Sequence, residues 1–160
     1  VAMRGSWGIA AGPGADAYHF EVGGSAGQGL PVALGSAGQN LLFPVRGYPT
    51  AERFGKYGWS ATAEYRFPLS MLNRGPGLVP LHFGWLSAAL FVDAGNAWGP
   101  DTSLHGHLNP RRGTLVSAGG ELTLRVLALW FTDLDLRLGM ASPLVDGDGP
   151  RAYVRLGPSF

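Results

Sequence analysis

The sequence contains no cysteine, so it can form neither a disulfide scaffold nor a cysteine-ligated zinc site. Charged residues make up only 14% of it, against about 25% in average proteins. The net charge of +1 provides no basic surface, and we therefore expect no nucleic-acid partner. Disorder is excluded too, because disordered chains have few aromatic residues, whereas 11% of these residues are aromatic.

Long apolar runs are also lacking. The longest, over residues 86–92 with Ser87 inside it, is far below the roughly 18 residues of a membrane helix. The mean hydropathy of +0.09 is nevertheless high for a soluble chain. A β-barrel can be embedded in a membrane without long apolar runs, because only alternate residues of its strands face lipid. The chain begins Val-Ala-Met without a signal peptide, and we expect it to be a fragment.

Apolar and polar residues alternate along most of the chain, which is the pattern of β-strands. The clearest case is segment 59–69, where aromatic and aliphatic residues oppose Ser60, Thr62, Glu64 and Arg66. The same pattern predicts seven strands, over 1–11, 17–23, 59–69, 84–98, 114–128, 132–141 and 152–160. In all of them except 84–98, the charged residues fall on one face: Arg4, Glu21, Glu64, Arg66, Glu121, Arg125, Asp133, Asp135, Arg137 and Arg155.

Two all-β architectures fit this alternation. In a soluble sandwich or lipocalin-like binding module, the apolar face is the core. In an antiparallel transmembrane β-barrel, the apolar face meets lipid and the charged face lines the lumen. The barrel is favoured because most of the predicted strands have at least nine residues, the length that spans a bilayer, and lysine is limited to Lys56 in a loop. Aromatic residues near the strand ends also resemble membrane-interface girdles: Trp7, Trp59, Phe67, Trp98, Trp130, Phe131 and Phe160.

The predicted connections alternate in length, as in outer-membrane barrels. Segments 24–57 and 99–113 are long, whereas 12–16 and 129–131 are short. Segment 70–82 is too long for the short-turn side, and 129–131 lacks the residues that favour turns. Seven strands cannot close a membrane barrel, whose minimum is about eight. We therefore expect residues 1–160 to be one partial barrel domain.

Four motifs, in order, resemble the BamA/TamA/FhaC superfamily of bacterial surface antigen barrels. Val45-Arg46-Gly47-Tyr48 is similar to its V-R-G-F/Y loop motif, and residues 64–69 to its E-x-R-F-P-L strand end. Residues 91–98 are similar to its F-x-D-x-G strand, and 153–160 to its terminal strand with a closing Phe. The stretch 72–98 also resembles the subtype fused to a TolB-like propeller.

The resemblance implies a 16-stranded barrel in the bacterial outer membrane, with this chain as its last seven strands. It implies that loop 24–57 folds into the lumen, where Arg46 meets Asp93 through two parallel hydrogen bonds. The alternative is a solvated Arg46 and an Asp93 that is one more lumen charge. The latch would comprise Val45, Arg46, Gly47 and Tyr48 with Phe91, Asp93 and Gly95. Seven charged residues are predicted to face the lumen, and the main interpretation is that they form cross-strand ion pairs, with a selective pore as the alternative. They are Glu64, Arg66, Glu121, Arg125, Asp133, Asp135 and Arg137.

The last strand has a second implied role. In the family, the outer-membrane assembly machinery reads such a strand as a targeting signal, by pairing with its edge. The residues concerned are Tyr153, Val154, Leu156, Gly157 and Phe160. The alternative is that Phe160 is only an anchor at the membrane interface.

The candidate catalytic and metal motifs are incomplete, so we predict no enzyme, metal or cofactor. Residues 23–27 match G-x-S-x-G but lack a following helix and partners. His105 and His107 lack a third ligand, and segment 146–149 lacks the glutamate of a calcium loop. The predicted function is outer-membrane protein assembly or translocation, with membrane lipid, client or secreted polypeptides and the assembly machinery as partners. The alternatives are a passive porin or anchor that carries a periplasmic domain, and the soluble binding module.

Overall fold

Every regular element in the described part of the chain is a β-strand. The computed structural model describes residues 1–13, 19–24, 43–99, 113–129 and 131–158. The strands are β1 (Ala2–Ile9), β2 (Phe20–Val22), β3 (Arg53–Gly55), β4 (Tyr57–Arg74), β5 (Leu81–Trp98), β6 (Leu115–Ala128), β7 (Thr132–Pro143) and β8 (Arg151–Pro158). Within these ranges, no helix has the length and apolarity that crossing a membrane requires.

Six of these strands form one antiparallel sheet with the order β1-β4-β5-β6-β7-β8. The remaining two, β2 and β3, pair with each other in a separate small sheet. Because β4 continues to Arg74 and β5 begins at Leu81, their connection is shorter than the predicted segment 70–82. Residues 75–80 and 129–131 therefore connect strands whose neighbouring ends lie at one end of the sheet, named here the short-connection end. The strand ends that residues 10–56, 99–114 and 144–150 connect lie at the other, named the long-connection end.

The prediction that segment 17–23 is a strand of the main sheet is wrong. Within the described residues 19–23, only Phe20–Val22 forms a strand, and it pairs with Arg53–Gly55, while β1 pairs directly with β4. The alternation that suggested a transmembrane strand has another cause, since Phe20 and Val22 pack into a small core beside the sheet. Gly23, with φ of 125°, then turns the chain away. The described sheet accordingly has six strands rather than seven.

The turn between β6 and β7 is built without glycine. Leu129 has a φ of 53°, which is uncommon for a bulky side chain. Its N–H donates to the carbonyl of Pro80 at 2.8 Å, so the neighbouring connection holds it. The hydrogen bond to an adjacent turn explains how a sequence without a turn signature still turns here.

In the sheet of a soluble protein the apolar face is buried and the charged face is exposed. In this sheet the burial of the two faces is reversed. We name them the charged face and the apolar face. On the charged face, Asp93 is 1% exposed and Glu121 6%. On the apolar face, Trp7 is 78% exposed and Leu90 59%. Other exposed side chains of that face are Met3, Ile9, Tyr65, Val92, Leu122, Leu138, Met140, Val154 and Leu156. The predicted segregation of charge is therefore present, and around Asp93 and Glu121 it is the charged side that is covered.

A small apolar core lies over the charged face at its long-connection end. Its buried members are Val22, Phe43, Val45, Tyr48, Ala97 and Leu115, with Phe20 packed against them. The rings of Phe20 and Phe43 meet edge to face, with centroids 5.3 Å apart. Gly95 makes this packing feasible, because a Cβ there would lie 2.7 Å from Cγ2 of Val45.

Two adjacent glycines of β6 provide a matched test of this asymmetry. A Cβ on Gly119 would lie 2.6 Å from Cζ of Phe91, on the charged face. A Cβ on Gly120 would make only ordinary contacts, the nearest at 3.6 Å. We expect Gly119→Ala to lower the free energy of unfolding by about 1–3 kcal/mol through overpacking. Gly120→Ala should change it by less than about 0.5 kcal/mol. Urea unfolding of both variants measures this, and equal effects would contradict the described face assignment.

Candidate functional site

Residues 43–48, named here the latch segment, run across the charged face. A parallel bridge joins Phe43 to Val22, and an antiparallel bridge joins Val45 to Gly24. Gly47 has a φ of 91°, and a Cβ there would lie 3.2 Å from Cβ of Ala141. Glycine is thus required both for the turn and for the close approach to β7. The bridges and this turn deliver Arg46 to the middle of the sheet.

Arg46 and Asp93 form the fork contact that the family resemblance implies. Nε of Arg46 donates to Oδ2 of Asp93 at 2.6 Å, and Nη2 donates to Oδ1 at 2.8 Å. The backbone N–H of Arg46 also donates to Oδ2, at 3.1 Å. The guanidinium lies over the ring of Phe91, 3.4 Å from its centroid. The aspartate therefore fixes both the main chain and the side chain of the latch segment.

Two further carboxylates face the same guanidinium. Nη1 of Arg46 lies 2.9 Å from Oε1 of Glu64 and 3.8 Å from Oε2 of Glu121. Arg46 is thus surrounded by acidic side chains of three neighbouring strands, β4, β5 and β6. Burial by itself lowers the pKa of Arg46, but the hydrogen bonds and negative charge of Asp93 outweigh it and raise that pKa above its ordinary value. The arginine consequently stays charged.

An ion-pair network continues from this centre to β8. Nη2 of Arg155 and the hydroxyl of Tyr153 donate to Glu121, the hydroxyl at 2.8 Å. Nη2 of Arg66 lies 2.6 Å from Glu64. Oδ1 of Asp135 lies 3.4 Å from Nε of Arg125, and its Oδ2 lies 3.2 Å from Nη2 of Arg137. Six of the seven predicted lumen charges take part in ion pairs, while Asp133 is exposed near the start of β7. Arg125–Asp135 and Arg137–Glu121 join different strands, whereas Arg66–Glu64 lies within β4.

Tyr48 holds the other end of the latch segment. Its hydroxyl accepts the N–H of Val116 at 3.2 Å and lies within hydrogen-bond distance of the carbonyls of Val116 and Val145. The tyrosine therefore connects the latch segment to the first residues of β6 and to connection 144–150. It is 3% exposed, so these contacts are made away from bulk water.

Sequence reasoning overlooked Arg53. It is 1% exposed in β3 and pairs with Glu52 at 3.3 Å and with Asp146 at 3.8 Å. It lies in the predicted loop 24–57, and an arginine in a loop is ordinarily solvated. The prediction also missed the place of Tyr153 in the network, although its position opposite the apolar residues of β8 was a usable signal.

Several residues of the predicted targeting strand lie outside the ion-pair network. Val154 and Leu156 are on the apolar face of β8, and Gly157 pairs with Asp135 of β7. The remaining candidates lie outside the described residues: Phe160, Trp130, His105 and His107. Within the described ranges, no group of three or more acidic or histidine side chains is arranged to hold a metal ion.

The Arg46–Asp93 contact predicts strong thermodynamic coupling. We expect Arg46→Ala to lower the free energy of unfolding by about 3–5 kcal/mol, because it leaves buried carboxylates uncompensated. Adding Asp93→Ala should cost less than the sum of the single changes, with a coupling of about 1–3 kcal/mol. Urea unfolding of the four proteins measures it. Arg151→Ala is the control, since its pair with Asp148 is exposed and at 3.9 Å; strictly additive costs would contradict the buried pair.

The contacts of Tyr48 predict a second effect, which can be measured separately from that of the Arg46–Asp93 pair. Tyr48→Phe removes the hydroxyl that accepts the N–H of Val116, while the carbonyl of Val116 keeps the N–H of Leu144, and we expect a cost of about 1–3 kcal/mol. We expect faster cleavage of the chain around the latch segment in limited proteolysis. Tyr65→Phe is the matched control, because that ring is exposed on the apolar face. Equal cleavage rates in the two variants would show that the hydroxyl does not hold the segment.

The chain matches no family model, no curated protein and no solved structure. The resemblance to the family therefore depends on the four sequence motifs alone.

Proposed function

We propose that the chain is the C-terminal part of a transmembrane β-barrel of the bacterial outer membrane, similar to the BamA/TamA/FhaC superfamily. Its six-stranded sheet would be a segment of the barrel wall, with the charged face toward the lumen. The function would be the assembly of outer-membrane proteins or the translocation of polypeptides. The latch segment would lie inside the lumen, held by Arg46.

The observation that carries the proposal is the inverted burial of the sheet. A soluble sandwich needs its apolar face as the core, yet in the described residues that face is exposed from β1 to β8. A sheet in this state has a large free energy to gain from contact with lipid, at about 25 cal/mol for each Å² of apolar surface removed from water. In a membrane barrel, lipid would cover the apolar face and the charged side chains would form ion pairs in the lumen. Both faces would then have a favourable environment.

The aromatic side chains support the same orientation. Near the long-connection end, Trp7 of β1 pairs in register with Trp59 of β4, and the rings of Tyr57 and Trp98 stack with centroids 5.7 Å apart. Near the short-connection end, Phe131 is 80% exposed. Aromatic residues at both ends of an apolar band are typical of outer-membrane barrels, where they lie at the two membrane interfaces.

The latch favours a gated function over an open porin. The latch segment covers the middle of the charged face, and its arginine is enclosed by Asp93, Glu64 and Glu121. A permanently open pore has no need of a segment tied in place by a desolvated ion pair. A passage that must be sealed when idle does need one, and polypeptide insertion or translocation is such a passage.

The experiment replaces the protein in its host with latch variants. We expect Arg46→Ala and Asp93→Ala each to lower the amount of folded outer-membrane porins, or the amount of a secreted client, by several-fold. The double variant should be no worse than the single ones, because both remove one contact. Immunoblots of heat-modifiable porins and of culture supernatant measure this, with Arg151→Ala as the control.

Other outcomes separate the alternatives. A protein that stays in the outer membrane with stable conductance, while client levels do not change in any variant, would be a passive porin or anchor. A protein recovered in the aqueous fraction without detergent would be a soluble binding module. Either result would overturn the proposal.

A further inference from the structure

A cavity of about 310 Å³ lies on the charged face near its short-connection end, away from the latch. Its lining includes two arginines, Arg66 and Arg125, and two hydroxyl residues, Ser87 and Thr123. Pro68 and Trp85 are apolar residues of the same lining. The volume is at the lower end of the range for small-molecule sites, about 300–1,000 Å³.

Two irregularities of the strands shape this cavity. In β5, the pairing passes from Phe83–Val126 to Leu86–Leu124, so that Gly84 and Trp85 together oppose Arg125. In β4, the register shifts between Pro68 and Ser70. Bulges of this kind redirect side chains and are frequent beside binding sites. Here they bring the indole of Trp85 to the wall that Arg125 shares.

The charged residues that line this cavity are two arginines, Arg66 and Arg125, and one aspartate, Asp135. Arg66 pairs with Glu64, which Arg46 also contacts. Arg125 pairs with Asp135, which Arg137 also contacts. The side chains of Arg66 and Arg125 are 60% and 47% exposed, whereas that of Arg46 is 6% exposed. The guanidinium groups that line the cavity therefore retain donors for a ligand.

We infer that this cavity binds a small organic monoanion, namely a carboxylate attached to a flat apolar body. The guanidinium forks suit the planar carboxylate, and the indole of Trp85 offers a face on which the body can stack. Asp135 also lines the cavity, so a single negative charge fits better than the double charge of a phosphate monoester. This site is additional to the proposed transport role and depends only on the described sheet.

The binding test compares four ligands that dissect the two halves of the site. Purified protein in detergent is titrated calorimetrically with 3-phenylpropionate, 3-phenylpropan-1-ol, propionate and phenyl phosphate, with protein-free micelles as the blank. We expect 3-phenylpropionate to bind at least about tenfold more tightly than the neutral alcohol, which is the lower end of the value of a hydrogen bond to a charged group. Propionate and phenyl phosphate should be weaker as well. An alcohol that binds as well as the acid would reduce the site to apolar partition and overturn the inference; a tighter phosphate would overturn the choice of a monoanion.

Variants test whether the binding that calorimetry measures takes place at this cavity. Arg125→Gln and Arg66→Gln should each weaken 3-phenylpropionate about tenfold, the effect of one lost charge-assisted hydrogen bond. Arg151→Gln, a guanidinium of β8 outside the cavity, should leave the affinity unchanged. Trp85→Ala should weaken binding, and Trp85→Phe should restore it. Unfolding curves verify that each variant is folded. Wild-type affinity in both arginine variants would overturn the inference, whatever the outcome of the assembly experiment.

Discussion

The buried charge of Arg46 is the constraint on which the rest of this structure depends. A desolvated guanidinium is unfavourable by several kcal/mol unless its donors are satisfied. Here Asp93 receives two side-chain donors and the backbone N–H, Glu64 receives a third side-chain nitrogen, and Phe91 covers the plane. Removal of Arg46 would leave Asp93 without its cation, and removal of Asp93 would leave the guanidinium without its main partner. The latch segment and the three strands β4 to β6 are consequently stable only as a unit.

This packing requires very small residues on the charged face wherever the latch segment crosses the sheet. Glycine occupies the contact positions: Gly95 beneath Val45, Gly119 beneath Phe91, and Gly47 against Ala141. A side chain at any of these positions would lift the segment and lengthen the 2.6 Å contact between Arg46 and Asp93. These glycines are therefore related to close packing on the charged face rather than to flexibility. Glycines of the apolar face, such as Gly120, have ordinary surroundings.

The sequence allowed a good prediction of the strands and of their faces, because period-two alternation reports directly on which side chains share an environment. It also placed Arg46 beside Asp93, but through family motifs, since nothing in local spacing relates two residues so far apart. It failed where alternation has two causes: Phe20 and Val22 alternate because they fill a small core, not because they cross a sheet. It failed again at Arg53, because the burial of a loop arginine depends on tertiary contacts with Glu52 and Asp146.

The two attachments of the latch segment respond to different conditions, and this bears on how such a latch would be released. The attachment through Arg46 is electrostatic and lies among carboxylates, so in the proposed function a polypeptide with charged groups would compete with it directly. The attachments through Phe43, Val45 and Tyr48, on either side of Arg46, are apolar and backbone-bonded, and they have no charge for such a competitor to engage. A passing chain would therefore displace Arg46 first, while the core beside β2 keeps the segment tethered for return. A latch with one charged and one apolar attachment can open without being lost.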